Sequence, residues 1–215
     1  MHSDTAVAIA GSSYFDFVRL VVAGDLEQVA ARLAANPALA TTSSEVGATR
    51  QVSTSFFFTD IAHYFYAGDT ALHMAAAAFR RPVAALLLAH GADCRARNRR
   101  GAEPLHYAAD ANRWDPAAQG ETIACLISAG ADPNVVDRSG VSPLHRAVRT
   151  RSLAAVRALV DGGADVRRPN KAGSTPLHLA VKTTGRGGSG SAQAREQQAA
   201  IIRLLMERGA TLDDG

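Results

Sequence analysis

The sequence predicts an all-α fold, a solenoid of about five stacked helical units, on three observations. One short phrase recurs four times: G-D-T-A-L-H at Gly68–His73, G-A-E-P-L-H at Gly101–His106, G-V-S-P-L-H at Gly140–His145 and G-S-T-P-L-H at Gly173–His178, with the histidines 33, 39 and 33 residues apart. Each phrase is answered downstream by Gly-Ala-Asp, at Gly91, Gly130 and Gly163, or by Gly-Ala-Thr at Gly209. Counting back from those glycines, position −4 reads Leu87, Leu126, Leu159, Leu205; position −3 reads Leu88, Ile127, Val160, Met206; position −7 reads Ala84, Ile123, Val156, Ile202. That is one apolar stripe at helical spacing, and all three positions are expected in the core between helices. A fixed period near 33 residues marks a stacked array. In such an array each unit touches only its neighbours and none buries its apolar face alone.

From the N-terminus, Phe17–Leu33 has the second half of a unit without the opening phrase. Residues 1–36 are therefore expected to be degenerate capping helices, as terminal units commonly are. Residues 37–68 form a long connection in which two β-prone aromatic runs flank Thr59 and Asp60, predicting an extended hairpin. Six of the chain's twelve aromatic residues fall there: Phe56, Phe57, Phe58, Tyr64, Phe65 and Tyr66. Four units follow, at 69–101, 102–140, 141–173 and 174–215. In them the phrase opens a helix. Thr70, Ser142 and Thr175 offer a hydroxyl at the N-cap, where it accepts from an orphan amide. Pro104, Pro143 and Pro176 take the first helical position, where a missing N–H costs nothing. The glycine two residues before each cap suits a turn at positive φ. Ala71 and Glu103 depart from the phrase, replacing a proline and a threonine, and are expected to weaken their caps. The third unit carries six extra residues around Asn112-Arg-Trp-Asp-Pro-Ala, and the fifth carries thirteen, including Gly185–Ser191. The latter lacks the glycine-lysine-serine ending of a phosphate loop and does not join a strand to a helix, so a flexible insertion is expected.

The phrase G-x-T-P-L-H-x-A-A, a second helix and then G-A-D-V-N together resemble the ankyrin repeat, from Asp69 to about Thr211. The resemblance implies an ankyrin-repeat solenoid with short β-hairpin loops, a structural histidine that hydrogen-bonds between units, and a protein-interaction role. It also implies that partners are met by the hairpin tips, the residue before T-P-L-H and two residues late in the first helix. Carried onto the last three units, those eighteen positions hold seven basic residues, Arg97, Arg99, Arg100, Arg138, Arg149, Lys171 and Lys182, and a single acid, Asp110.

Charge is unevenly spread along the chain. Residues 1–79 carry 3 basic and 7 acidic side chains, whereas 80–182 carry 16 and 9, within a formal net charge of +3. The basic positions above then read as a concave stripe for an acidic protein surface or peptide, with Phe57, Tyr64 and Tyr66 as apolar anchors of the kind that dominate interfaces. Two alternatives stay open for these features: the arginines serve solubility, and Phe57 and its alternating neighbours pack on the first units. Nucleic acid is a weaker alternative partner, given the low net charge and no legible nucleic-acid module.

An enzyme would need a pocket of perturbed ionisable groups that no motif discloses; H-E-x-x-H, G-x-S-x-G and a catalytic cysteine context are all lacking. The expectation is a non-catalytic protein without cofactor or metal. The repeat histidines should lie roughly 10 Å apart on packed helices, too far to share zinc at bonds of about 2 Å. Cys94 and Cys125 have no disulfide or metal spacing. Cys125, within A-C-L-I, reads as a small buried hydrophobe, and Cys94 as a loop bystander. Reduced thiols suit a cytoplasmic protein. Met1–Tyr14 lacks the features of a secretory leader and no run of 18 apolar residues spans a membrane. A monomer is expected. The alanine-rich sequence has Lys171 and Lys182 as its lysines, a usage that points to a GC-rich, bacterial-type coding sequence.

Overall fold

In the computed structural model, which describes residues 13–110, 115–182 and 192–213, ten helices are arranged in pairs. They are α1 (Ser13–Ala23) and α2 (Leu26–Ala35), α3 (Ala71–Ala77) and α4 (Arg81–Ala89), α5 (Pro104–Ala108) and α6 (Pro116–Ser128), α7 (Pro143–Arg149) and α8 (Leu153–Asp161), α9 (Pro176–Val181) and α10 (Ala192–Glu207). Each pair packs on itself. Along the chain α1, α3, α5, α7 and α9 pack successively on one another, as do α2, α4, α6, α8 and α10. The result is a two-layer stack with one apolar core running from Phe15 to Ala210. The N-terminal pair enters it in the same register as the repeats. Among the described residues no helix is long and apolar enough to cross a membrane.

Position −4 of the stripe is fully buried in all four units, as are Ala84, Ile123 and Val156. Position −3 departs from expectation. Leu88 and Ile127 are only partly buried, and Met206 on α10 is 59% exposed. This position sits at the margin of the face that meets the neighbouring helix, and α10 is the last helix of the described stack. The two cysteines also exchange roles. Cys94 is buried with its Sγ donating to Ala129 O at 3.4 Å, while Cys125 is half-buried. The insertion at Gly185–Ser191 and residues 112–114 of the other insertion lie outside the described residues.

Each opening phrase forms a capping box in which histidine takes the usual glutamate position. The hydroxyls of Thr70, Ser142 and Thr175 accept from the amides of His73, His145 and His178 at 3.3–3.4 Å. In return Nδ1 of each ring accepts from the cap amide, at 3.1 Å from Thr70 N and 3.3 Å from Ser142 N. With Nδ1 the acceptor, Nε2 carries the proton and donates to the next unit: His73 to Ala102 O, His106 to Val141 O and His145 to Ser174 O, at 3.0–3.1 Å. One side chain thus closes a helix end and joins two units. The Ala71 departure is not the weakness expected. A proline there would have no N–H, whereas Ala71 N donates to the Tyr14 hydroxyl at 3.0 Å, and that hydroxyl donates to Thr42 O at 2.7 Å.

The loops between units are tight fingers. Asn98, Asp137 and Asn170 each fold one finger by accepting, on the side-chain oxygen, from the amides two and four residues on at 2.9–3.1 Å. Successive fingers are joined through their backbones: Arg99 N to Ala67 O at 2.9 Å, Arg138 N to Arg100 O at 3.1 Å and Lys171 N to Ser139 O at 3.4 Å. Glycine is needed where they touch. Gly68 has φ +84°, and a Cβ there would lie 2.7 Å from Asn98 Cα; Gly140 has φ +72°, with Lys171 N at 2.8 Å.

The aromatic connection contains a short antiparallel hairpin, β1 (Phe57–Phe58) and β2 (His63–Tyr64), closed by a 3-10 turn at Thr59–Ile61. Its two faces have different fates. Phe56 and Phe65 are buried, meeting Phe15 of α1 edge-on at 5.9 and 5.6 Å. The opposed pair Phe57 and Tyr64 points outward, each 37% exposed, with ring centroids 4.7 Å apart.

Candidate functional site

The fingers set the basic residues in a row. Arg99 and Arg100 lie on the first of the three repeat fingers, Arg138 on the second and Lys171 on the third, where its Nζ donates to Arg138 O at 2.8 Å. The guanidinium carbons of Arg99 and Arg100 lie 5.4 and 4.9 Å from the centroid of the Tyr66 ring, and Arg99 also donates to Ala48 O. Stacking of this kind fixes a guanidinium while leaving its N–H edge available. Arg97 and Arg149 are engaged differently. Arg97 Nε bonds Glu103 at 3.0 Å, and Arg149 lies 3.5 Å from Asp110. Lys182 is exposed at the end of α9, apart from the others. Two of the eighteen contact positions inferred from the repeat pattern, Ala102 and Asp110, are not presented to a partner. Ala102 is buried beneath His73, and Asp110 is bound by Arg146.

Tyr64, Tyr66, Arg99 and Arg100 come together around a depression of about 410 Å³ that Ala48, Thr49, Arg50 and Ser53 complete. Arg100 and Tyr66 also wall a second groove, of about 260 Å³, whose other lining includes His63, Tyr107, Asp110, Asp137, Ser139, Arg146 and Arg149. Among the described residues Arg97, Arg138, Lys171 and Lys182 line neither.

Beneath the second groove lies a polar network without a sequence signature. Arg146 of α7 reaches Asp110 at 2.8 Å and Asp137 at 3.0 Å from a nearly buried position. Burial raises the Asp137 carboxyl, but hydrogen bonds from Arg146 and from the amides of Val141 and Ser139 outweigh it and hold the group below the usual aspartate range. Burial likewise opposes the charge on Arg146, and its two carboxylate partners more than offset it. One unit earlier, buried Asp69 accepts from the Tyr107 hydroxyl at 2.8 Å, from Asn98 Nδ2 at 2.8 Å and from Tyr66 N at 2.6 Å. Burial, with Asp69 close by, drives the Tyr107 phenol well above its ordinary value. These bonds fix the floor under Tyr66 and the root of the Arg99–Arg100 finger.

Sequence reasoning overlooked Arg50, Arg146, Asp69 and the finger residues Asn98, Asp137 and Asn170. The last three did leave a signal, an Asn or Asp three residues before the glycine of each of the last three phrases. Arg146 left none. His73, His106 and His145 are engaged at both ring nitrogens, which accounts for them as joints between units. What the surface offers chemically is a set of fixed, donor-rich guanidinium groups beside aromatic rings.

Comparison with known proteins gives two matches to family models. One, described as ankyrin repeats (3 copies), matches residues 116–214, and the other, described as ankyrin repeats (many copies), matches residues 72–115. No curated protein matches the chain.

Proposed function

The chain belongs to the ankyrin-repeat family, and on that premise we propose that it is a non-catalytic module binding an acidic protein surface or peptide on a concave, arginine-rich face. Ankyrin repeats are generally protein–protein interaction modules. The observation that carries the finer reading is the row of basic fingertips, with Arg99 and Arg100 stacked on Tyr66 beside a depression that three arginines and no carboxylate line. Guanidinium forks favour carboxylates, and Tyr and Arg are the residue types on which interface energy concentrates.

The test is a triple charge reversal, Arg99→Glu, Arg100→Glu and Arg138→Glu, against a partner captured by the wild-type protein. Loss of the cation–π contacts removes about 0.5–1 kcal/mol each at exposed sites, so the melting temperature should shift by only a few degrees. Association should weaken at least tenfold, because like charges across an interface repel and slow encounter. A partner that holds the variant as tightly as the wild type would make the stripe a solvated surface only.

A further inference from the structure

We propose that the depression between residues 48–53 and the Arg99–Arg100 finger is a subsite for one acidic side chain of an extended partner peptide, with an apolar residue two positions away resting on the Phe57–Tyr64 pair. This rests on the reading of the chain as a binder of acidic protein segments, and it assigns a specificity and a third arginine to that reading.

Composition of the site comes first. The depression is lined by Arg50, Arg99 and Arg100 together with Tyr64, Tyr66 and Ser53, and no carboxylate lines it. Unlike Arg97 and Arg149, whose charges are met by Glu103 and Asp110, its cations face no acid within the lining. At about 410 Å³ it falls at the small end of ligand pockets, which run from about 300 to 1,000 Å³, a size for a side chain and its flanking backbone. Arg99 and Arg100 are already ordered, through the Tyr66 ring and through Ala48 O, so binding loses little of their rotamer freedom. Six of the eight lining residues, Arg50 included, come from the connection that precedes the four repeats, so the specificity belongs to this chain and not to the repeat pattern.

The apolar position follows from ring geometry. Tyr66, Tyr64 and Phe57 form a file with centroids 6.2 and 4.7 Å apart, running from the depression to the outer face of the hairpin. An extended peptide advances about 3.4 Å per residue. A side chain two residues from the acid therefore reaches the exposed Tyr64–Phe57 pair on the same side of the peptide. The recognised element is an Asp or Glu, any residue, then an aromatic or large aliphatic residue, read in either chain direction.

Fluorescein-labelled ten-residue peptides on a glycine-serine background test this by anisotropy with the full chain. They carry Glu-Ser-Phe, Phe-Ser-Glu, Glu alone, Phe alone, or phosphotyrosine in place of the pair. The expected result is at least tenfold tighter binding of one Glu/Phe peptide than of either single-residue control. Arg50→Glu should lose that binding at least tenfold with an unchanged melting temperature. Tyr64→Ala should lose the phenylalanine preference and keep the glutamate preference, and Arg138→Glu with Lys171→Glu should change the affinity less than threefold. Retained binding in Arg50→Glu, a tenfold preference for phosphotyrosine, or no binding of any Glu/Phe peptide each overturns the subsite. Because Arg50 lies outside the fingertip stripe, loss of the captured partner in the Arg99/Arg100/Arg138 variant but not in Arg50→Glu refutes the subsite and leaves the wider reading standing.

Discussion

The buried histidines make protonation a direct probe of the capping boxes, because acid adds its proton at the Nδ1 that accepts from the cap amide. Burial holds His106 down to about 3, and burial also lowers His73 and His145 from the ordinary histidine value. Between those depressed folded-state values and the unfolded value of about 6.5, the unfolded chain binds more protons than the folded one, so stability rises with pH. Their contribution is complete above about pH 6.5 and is lost as the pH falls toward each depressed folded-state value, about 3 for His106, each group supplying a slope of at most about 1.4 kcal/mol per pH unit. The urea midpoint should be level between pH 8 and 7 and decline steadily from 6.5 to 4.5. A midpoint unchanged down to pH 5 would mean that the folded state does not need these rings neutral, with Nδ1 accepting from the cap amides of Thr70, Glu103 and Ser142. The histidines were legible in the sequence because they recur once per phrase, three residues after each cap, and the ankyrin resemblance implied their bonds between units. Arg146 was not, because its carboxylates stand 36 and 9 residues away on other elements.

At the level of the element, α3 shows how a departure from the repeat pattern is absorbed. Its first residue is Ala71 where the other phrases have proline, and the resulting N–H is bound by Tyr14 of α1 across 57 residues of chain. Restoring the pattern with Ala71→Pro should therefore destabilise the protein by more than about 1 kcal/mol, since proline placed where an amide was hydrogen-bonded costs more than its unfolded-state entropy gains. In a Tyr14→Phe background, where the hydroxyl is already gone, the same change should cost less. Additive losses in this double-mutant cycle would show that the Tyr14 bond is not what makes proline unwelcome there. The hairpin argues similarly. Its alternating aromatics left open whether it was core or surface, and the answer is one face each: Phe56, Phe58 and Phe65 lie toward Phe15, while Phe57 and Tyr64 point away.

For the whole molecule, charge is organised by the stack. The basic residues of 80–182 are scattered in sequence, yet the backbone bonds between fingers bring Arg99, Arg100, Arg138 and Lys171 onto neighbouring tips. A partner drawn by that surface should associate more slowly as salt rises, since the Debye length shrinks from about 10 Å at 0.1 M to about 3 Å at 1 M. Raising sodium chloride from 50 to 500 mM should lower the association rate of the captured partner severalfold while changing its dissociation rate far less. An association rate independent of salt would remove electrostatic steering from the account.

The sequence by itself determined what is periodic or local: the number of phrase-bearing units, the caps, the turn glycines and the fully buried leucines. Each of these follows from residues within a turn or two of one another, repeated until coincidence is excluded. Tertiary structure alone decided which surface residues meet. Arg99 finds Ala48 across 51 residues, and Tyr14 finds Ala71. Cys94 is covered by Ala129, and Met206 is left open at the margin of the last described helix. Arg50 joins the depression although nothing near it in the chain marks it. Such contacts depend on how a connection outside the repeats folds back over the stack, and no period in the sequence encodes that path.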